Sequence, residues 1–155
     1  MSTYKEHSSR AECNNKLLKT FETLYKRNDV VQFDDWYITI SFYSAVQHIE
    51  AMLAMVKPKI LFAGYHIRIE HTTDVYPLYG ITYNTLGGAH RSRLKIIMEN
   101  DLFNPNLSSA YYWLHNNSHA AKYNNYKPNN HNWGLAKRML ENLKNTCRQL
   151  IANKP

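Results

Sequence analysis

The sequence predicts an all-α protein: a four- to five-helix up-and-down bundle with an extended or β-hairpin-like insertion between the second and third helices. Apolar residues recur at helical spacing in several segments that short polar turns separate. A length of 155 residues with 44% hydrophobic residues suits one domain with its own core. We therefore expect a single domain over residues 1–155, with an insertion at 59–86 that is rich in tyrosine, isoleucine and threonine.

The first two helices are predicted from their ends and from their apolar stripes. The first begins at Ser8 or Ser9, either of which can cap it, and reaches about Arg27. The second begins at Asp34 and stops before Pro58. It carries one stripe of Ile38, Phe42, Ala45, Ile49, Met52 and Val56, and a second of Trp36, Ile40, Tyr43 and Val46. A helix that is apolar on two faces is predicted to lie at the centre of the bundle.

Three more helices follow the insertion. The third runs from about His90 to Asp101, with Leu94, Ile97 and Met98 pointing inward. The fourth covers about 107–124, and its inward line is Tyr111, Leu114, Ser118 and Ala121. The fifth begins near Trp133 and ends near Ala152, with Ala136, Leu140, Leu143, Cys147 and Leu150 inward.

Three segments of this pattern have a counterpart in a known family. They are WYITISFYSAVQHIEA (36–51), the H-x-x-R spacing of His90 and Arg93, and LHNNSHAAKY (114–123). In this order they resemble helices two to four of small proteins of the HEPN superfamily, which are helical bundles of toxin–antitoxin and defence systems. The resemblance implies a HEPN-like bundle with a central second helix. It also implies that the polar residues of that helix meet polar groups of its neighbours, so that His48 approaches the 90–93 turn and Glu50 pairs with an arginine such as Arg93. The alternative is that both lie on an exposed strip.

HEPN ribonucleases share an R-x(4 to 6)-H motif, in which arginine stabilises phosphate charge and histidine exchanges protons. No arginine of this chain has a histidine at that spacing, and Ser118 stands where the fourth-helix signature has arginine. The sequence therefore favours a non-catalytic protein. The alternative is a metal-independent endoribonuclease with a non-standard site built from His90, Arg93, His115 and His119.

Metal and cofactor sites are not predicted. His115 and His119 are four residues apart on one helix face and could share a zinc or nickel ion, but no carboxylate or cysteine accompanies them. His66 and His71 are interpreted as structural or surface residues. We therefore expect no cofactor and no metal.

Charge and aromatic content indicate the class of partner. The formal net charge is +7, which favours an acidic partner, and tyrosines can stack on unpaired bases. The leading hypothesis is a HEPN-like RNA- or protein-binding module; a structural or small-ligand-binding bundle is a further alternative. The predicted nucleic-acid-binding residues are Arg91, Arg93, Lys95, His115, His119, Lys122 and Tyr126.

Self-association is expected from the fourth helix. Tyr112 and Trp113 are adjacent, so both cannot point toward the core, and at least one ring should be exposed or covered by a partner. We expect a homodimer; the alternative is that the 59–86 insertion covers these rings. Cys13 and Cys147 are interpreted as reduced thiols of a cytoplasmic protein that has no membrane span and no signal peptide.

Overall fold

The computed structural model describes residues 3–26, 34–79, 88–100, 103–123 and 133–154. It is mostly helical, which confirms the predicted fold class. Its α-helices are α1 (Tyr4–Lys26), α2 (Asp34–Val56), α3 (Gly88–Met98), α4 (Pro105–Tyr123) and α5 (Trp133–Ala152). A small hairpin of β1 (Lys59–Phe62) and β2 (Tyr65–Arg68) and a 3₁₀ helix (Thr72–Tyr79) lie between α2 and α3.

The central position of α2 is confirmed, because this helix packs against α1, α4 and α5. Its first stripe forms much of the core, where Ile38, Phe42, Ala45, Ile49 and Met52 are all buried. The second stripe behaves differently. Val46 is buried, but Trp36 is 60% and Tyr43 is 41% exposed. Only part of the second stripe therefore packs against other helices.

The insertion begins as the predicted hairpin. The two strands are antiparallel and pair Lys59 with Arg68 and Phe62 with Tyr65, so only two residues form the turn. Ala63 and Gly64 both have positive φ angles, as a two-residue hairpin turn requires. The 3₁₀ helix that follows was not predicted. Residues 80–87, which include the end of the predicted insertion, lie outside the described residues.

The predicted start of the first helix is wrong, because α1 begins four residues before Ser8. The side chain of Glu6 accepts a hydrogen bond from the Thr3 backbone at 2.7 Å, and the Thr3 hydroxyl accepts one from the Glu6 backbone at 3.4 Å. This reciprocal pair is a capping box, and it satisfies two backbone donors at the N-terminus of the helix. Ser8 and Ser9 therefore lie inside the helix.

The inward faces of the later helices are mostly as predicted. Leu140, Leu143 and Cys147 of α5 and Tyr111, Leu114 and Ser118 of α4 are buried. The exception is Met98, which is 61% exposed at the end of α3, where Ser92, Arg93, Ile96 and Ile97 point inward instead. Among the described helices, none is long and apolar enough to cross a membrane.

Asn100 joins the hairpin to the end of α3. Its side-chain amide donates to the backbone carbonyl of Ile96 at 2.8 Å and to that of Leu61 at 3.2 Å. Its side-chain oxygen accepts from the Leu61 backbone at 2.7 Å. One side chain therefore serves both as a partner for the last turn of α3 and as a partner for the edge of β1.

Candidate functional site

A buried ion pair lies between α2 and α3. Glu50 is 6% and Arg93 is 4% exposed, and the Arg93 Nε donates to Glu50 Oε1 at 2.8 Å. Arg93 Nη2 donates to the same oxygen. The structure therefore confirms that Glu50 pairs with Arg93, and the carboxylate on the central helix is not on an exposed strip.

Thr72 completes the surroundings of this carboxylate. Its backbone N–H donates to Glu50 Oε2 at 3.1 Å and its hydroxyl donates to Oε1 at 2.5 Å. Burial alone would raise the pKa of Glu50, but the charge of Arg93 and the bonds from Thr72 outweigh it and lower that pKa below its usual value. Glu50 is therefore ionised in the interior.

The other edge of the Arg93 guanidinium faces α4. Its Nη1 donates to the Tyr111 hydroxyl at 3.1 Å and contacts His90 Nδ1 at 3.3 Å. Because a guanidinium only donates, this contact requires an unprotonated Nδ1 on His90. Arg93 thus joins α2, α3 and α4 from inside the bundle, and it does not lie at the surface where the predicted nucleic-acid role would need it.

The predicted position of His48 is wrong. Its Nε2 lies 3.5 Å from the Asn15 side-chain amide on α1, on the side of α2 that faces α5, away from the 90–93 turn. Helix geometry explains this. His48 is two residues before Glu50, and two residues along an α-helix turn the side-chain direction by about 200°, so the two side chains point to nearly opposite sides of α2. Burial, with the charges of Lys144 and Arg148, lowers the pKa of His48 to about 4.

Two of the predicted histidines meet between α3 and α4. The ring centroids of His90 and His115 are 6.1 Å apart, and both rings contact Phe42 edge to face at 4.9 and 5.6 Å. Both histidines are half-buried, and Tyr43 lies 6.4 Å from the His90 ring. The structure therefore brings together His90, His115 and Arg93 from the alternative catalytic set.

The outer side of α3 and α4 carries exposed polar and aromatic residues. Arg91 follows His90 and is exposed, while Tyr112 (52% exposed) and the exposed His119 lie one turn on either side of His115. Residues at that spacing share one side of a helix. We call Arg91, Tyr112 and His119, together with the half-buried His90 and His115, the α3–α4 face.

The remaining residues predicted to bind nucleic acid contribute less to the α3–α4 face. Lys95 is half-buried, with its ammonium 5.2 Å from the centre of the Phe62 ring and 3.9 Å from Glu99. Tyr126 lies outside the described residues, as does the side chain of Lys122.

The sequences of α3 and α4 contain no aspartate or glutamate. All 12 acidic residues of the chain therefore lie in other segments. Lys95 faces Glu99 just past the end of α3, whereas the exposed Arg91 has no carboxylate within its own helix. Arg91 therefore places an exposed positive charge on this side of the bundle.

A third group of histidines was missed by sequence reasoning. His7 on α1 and His71, just after β2, are both buried beside Glu50, and their ring centroids are 5.4 Å apart. No local spacing links residues 7, 50 and 71, so a motif search has nothing to detect. The one usable signal was the 3.6-residue period of α1, which places His7 on the same side as the buried Ala11 and Leu18.

Comparison of the chain with protein-family models, with curated proteins and with solved structures finds no match. The HEPN resemblance therefore stays a prediction.

Proposed function

We propose that this protein is a non-catalytic RNA-binding helical bundle and that the α3–α4 face is its binding surface. The observation that carries the proposal is the absence of acidic residues from both helices, combined with exposed arginine and aromatic side chains on one side of them. An overall charge of +7 supports the same conclusion.

The side chains of this face suit single-stranded RNA. The exposed guanidinium of Arg91 can bind phosphate oxygens with paired hydrogen bonds. The ring of Tyr112 is exposed and can stack on an unpaired base, an interaction worth about 1–3 kcal/mol per base. His119 can donate to phosphate or base oxygens. From the resemblance to HEPN proteins we infer that such a module belongs to a toxin–antitoxin or defence system, where a protein partner is the alternative occupant of this face.

Fluorescence anisotropy with a labelled single-stranded RNA of about 20 nucleotides tests the proposal. Affinity should fall as salt rises, and Arg91→Glu should weaken binding and reduce the salt slope by about 0.7 per lost phosphate contact. Arg10→Glu is the matched control, because Arg10 is an exposed arginine on α1 and the charge change is identical. Equal losses in the two variants would indicate a non-specific charge effect, and absence of binding at low salt would contradict the proposal.

A ribonuclease is the second candidate, favoured by the 6.1 Å approach of His90 and His115. Two imidazoles at this distance could act as acid and base on one phosphodiester. The buried position of Arg93 argues against it, because a guanidinium bound to Glu50 is not directed at an incoming phosphate. RNA cleavage that is lost in both His90→Ala and His115→Ala, and kept in His66→Ala, would establish this candidate over the first.

A further inference from the structure

His7, Glu50 and His71 form a buried cluster from three separate parts of the chain. Each offers one nitrogen or oxygen atom, and these three atoms lie within 4.8 Å of one another. All three residues are buried. They line one wall of a cleft of about 250 Å³ together with Gln47, and the cleft opens to the surface beside the exposed Thr73.

The hydrogen bonding of His7 leaves one of its nitrogens without a partner. Nδ1 lies 2.8 Å from the Gln47 side-chain oxygen, which only accepts, so Nδ1 carries the proton. In the neutral ring Nε2 then holds a free lone pair, and this atom is buried with no hydrogen-bond partner in the structure. A buried polar atom of this kind is costly unless something binds it. An amide oxygen on the far nitrogen is also the arrangement that orients metal-binding histidines.

Glu50 is held with one oxygen toward the same place. Arg93 donates twice to Oε1, whereas Oε2 accepts, among the described residues, from the Thr72 backbone alone and faces His71 Nδ1 at 3.6 Å. Oε2 therefore keeps a lone pair on the side of the two histidines. The ion pair with Arg93 and the bonds from Thr72 fix the carboxylate in this orientation and keep it ionised.

We propose that His7, Glu50 and His71 bind a divalent transition-metal ion, with its remaining coordination positions directed into the cleft. Two imidazoles and one carboxylate suit zinc, cobalt, nickel or iron(II), whereas magnesium and calcium favour sites made of oxygen atoms alone. Ligand atoms on a tetrahedral ion lie about 3.4 Å apart when the bonds are about 2.1 Å long. The ligand atoms, which lie within 4.8 Å of one another, therefore have to close to about 3.4 Å on binding. The backbone of His71 donates to the Asp74 side chain at 2.8 Å, so this movement has to come from rotation of the side chains.

Cobalt and zinc titrations of the 155-residue chain without an affinity tag test the site. Cobalt should bind with a stoichiometry of one and give visible absorption bands, and zinc should displace it. His7→Ala and His71→Ala should each weaken zinc binding at least tenfold. The Gln47 side chain orients the His7 ring, so Gln47→Ala should weaken zinc binding about 10- to 100-fold. Circular dichroism of the same variants checks that the fold is kept.

Two control variants distinguish this site from other histidines. His66→Ala removes an exposed histidine of β2, and the double variant His115→Ala/His119→Ala removes the pair on α4 that has the helical spacing of metal ligands. Both should keep full zinc affinity. Binding that is lost in the double variant, or that survives both His7→Ala and His71→Ala, overturns the assignment, as does absence of binding to the wild-type chain. None of these outcomes depends on whether the α3–α4 face binds RNA.

Discussion

At the scale of single residues, the Glu50–Arg93 pair is the most consequential feature. A buried charge that loses its partner costs about 3–5 kcal/mol, more than the other losses considered for this chain. Glu50→Gln keeps the size of the side chain but leaves Arg93 without a counter-charge. We expect it to lower the free energy of unfolding by about 3 kcal/mol or more in urea denaturation. Glu70→Gln is the control, because Glu70 pairs with Lys57 at an exposed site, and it should leave the free energy of unfolding nearly unchanged.

His48 predicts a separate dependence of stability on pH. Its pKa is about 4 in the folded protein, against about 6.5 in an unfolded chain. The unfolded state therefore takes up the proton first as pH falls, and the free energy of unfolding should decrease between about pH 6.5 and pH 4. His48→Gln should reduce this slope. An unchanged slope in the variant would show that the ring is not buried as described.

The lowered pKa of Glu50 acts at lower pH. A carboxylate whose folded pKa is depressed stabilises the fold above its unfolded pKa of about 4.3, and this contribution is lost as pH falls through the folded value. Stability lost below about pH 4 therefore reports on Glu50 and on Glu22, whose pKa is also lowered. Burial raises the pKa of Glu22, but bonds from Lys137 and Tyr37 outweigh that effect.

At the scale of single elements, the start of α1 gives a direct test of the capping box. Thr3→Ala removes the hydroxyl that caps the helix and should cost about 0.5–2 kcal/mol in thermal or urea unfolding. Ser8→Ala and Ser9→Ala should have little effect, because both serines lie inside the helix. A larger loss of stability from either serine variant than from Thr3→Ala would indicate that the helix begins at Ser8 or Ser9, as the sequence predicts.

The elements differ in how well the sequence predicts them. The bounds of α2 follow from Asp34 and Pro58, and α5 begins and ends where its apolar period does, because each has a strong local signal. The 3₁₀ helix was missed because no period of about 3.6 marks it. Just before its start, the side chain of Asp74 accepts from the backbones of Glu70 and His71 at 2.7 and 2.8 Å. These two hydrogen bonds can be inferred only when the path of the backbone around residues 70–74 is already known.

The candidate sites could be predicted only in part, because some of their residues have a signal in the sequence and others do not. Glu50 could be expected to have a buried partner because a carboxylate on a central apolar helix requires one, and Arg93 lay in a segment expected to face it. The position of His48 was predicted wrongly. The residue that His48 contacts depends on which helix packs against each side of α2, and the sequence of α2 does not specify that packing. The His7–Glu50–His71 cluster joins residues far apart in the chain, and only the packed structure brings them together.

At the scale of the whole molecule, the exposed aromatic residues bear on self-association. The prediction that at least one of the two adjacent rings on α4 is exposed is confirmed, since Tyr112 is 52% exposed while Trp113 packs partly against the core. In the described part of the chain, the 59–79 segment does not cover the Tyr112 ring. We propose that a second copy of the chain packs beside this ring.

Sedimentation velocity at micromolar concentration tests the dimer. The wild-type chain should sediment as a dimer that packs against one side of the Tyr112 ring and leaves its other side open to a base. Tyr112→Glu should shift the chain toward the monomer, because a charge at the edge of the interface would lose part of its solvation. Tyr65→Glu is the control, since Tyr65 is a similarly exposed tyrosine on the hairpin at 59% exposure. A strictly monomeric wild-type chain would contradict the proposed pairing.

The most direct test of the proposed function is an NMR titration of the ¹⁵N-labelled chain with single-stranded RNA. We expect amide shifts to concentrate in α3 and α4, above all around Arg91, Tyr112 and His119, and to diminish as salt is raised. Shifts that concentrate instead on α1 and α5, or no shifts at low salt, would contradict the assignment of the α3–α4 face as a nucleic-acid-binding surface.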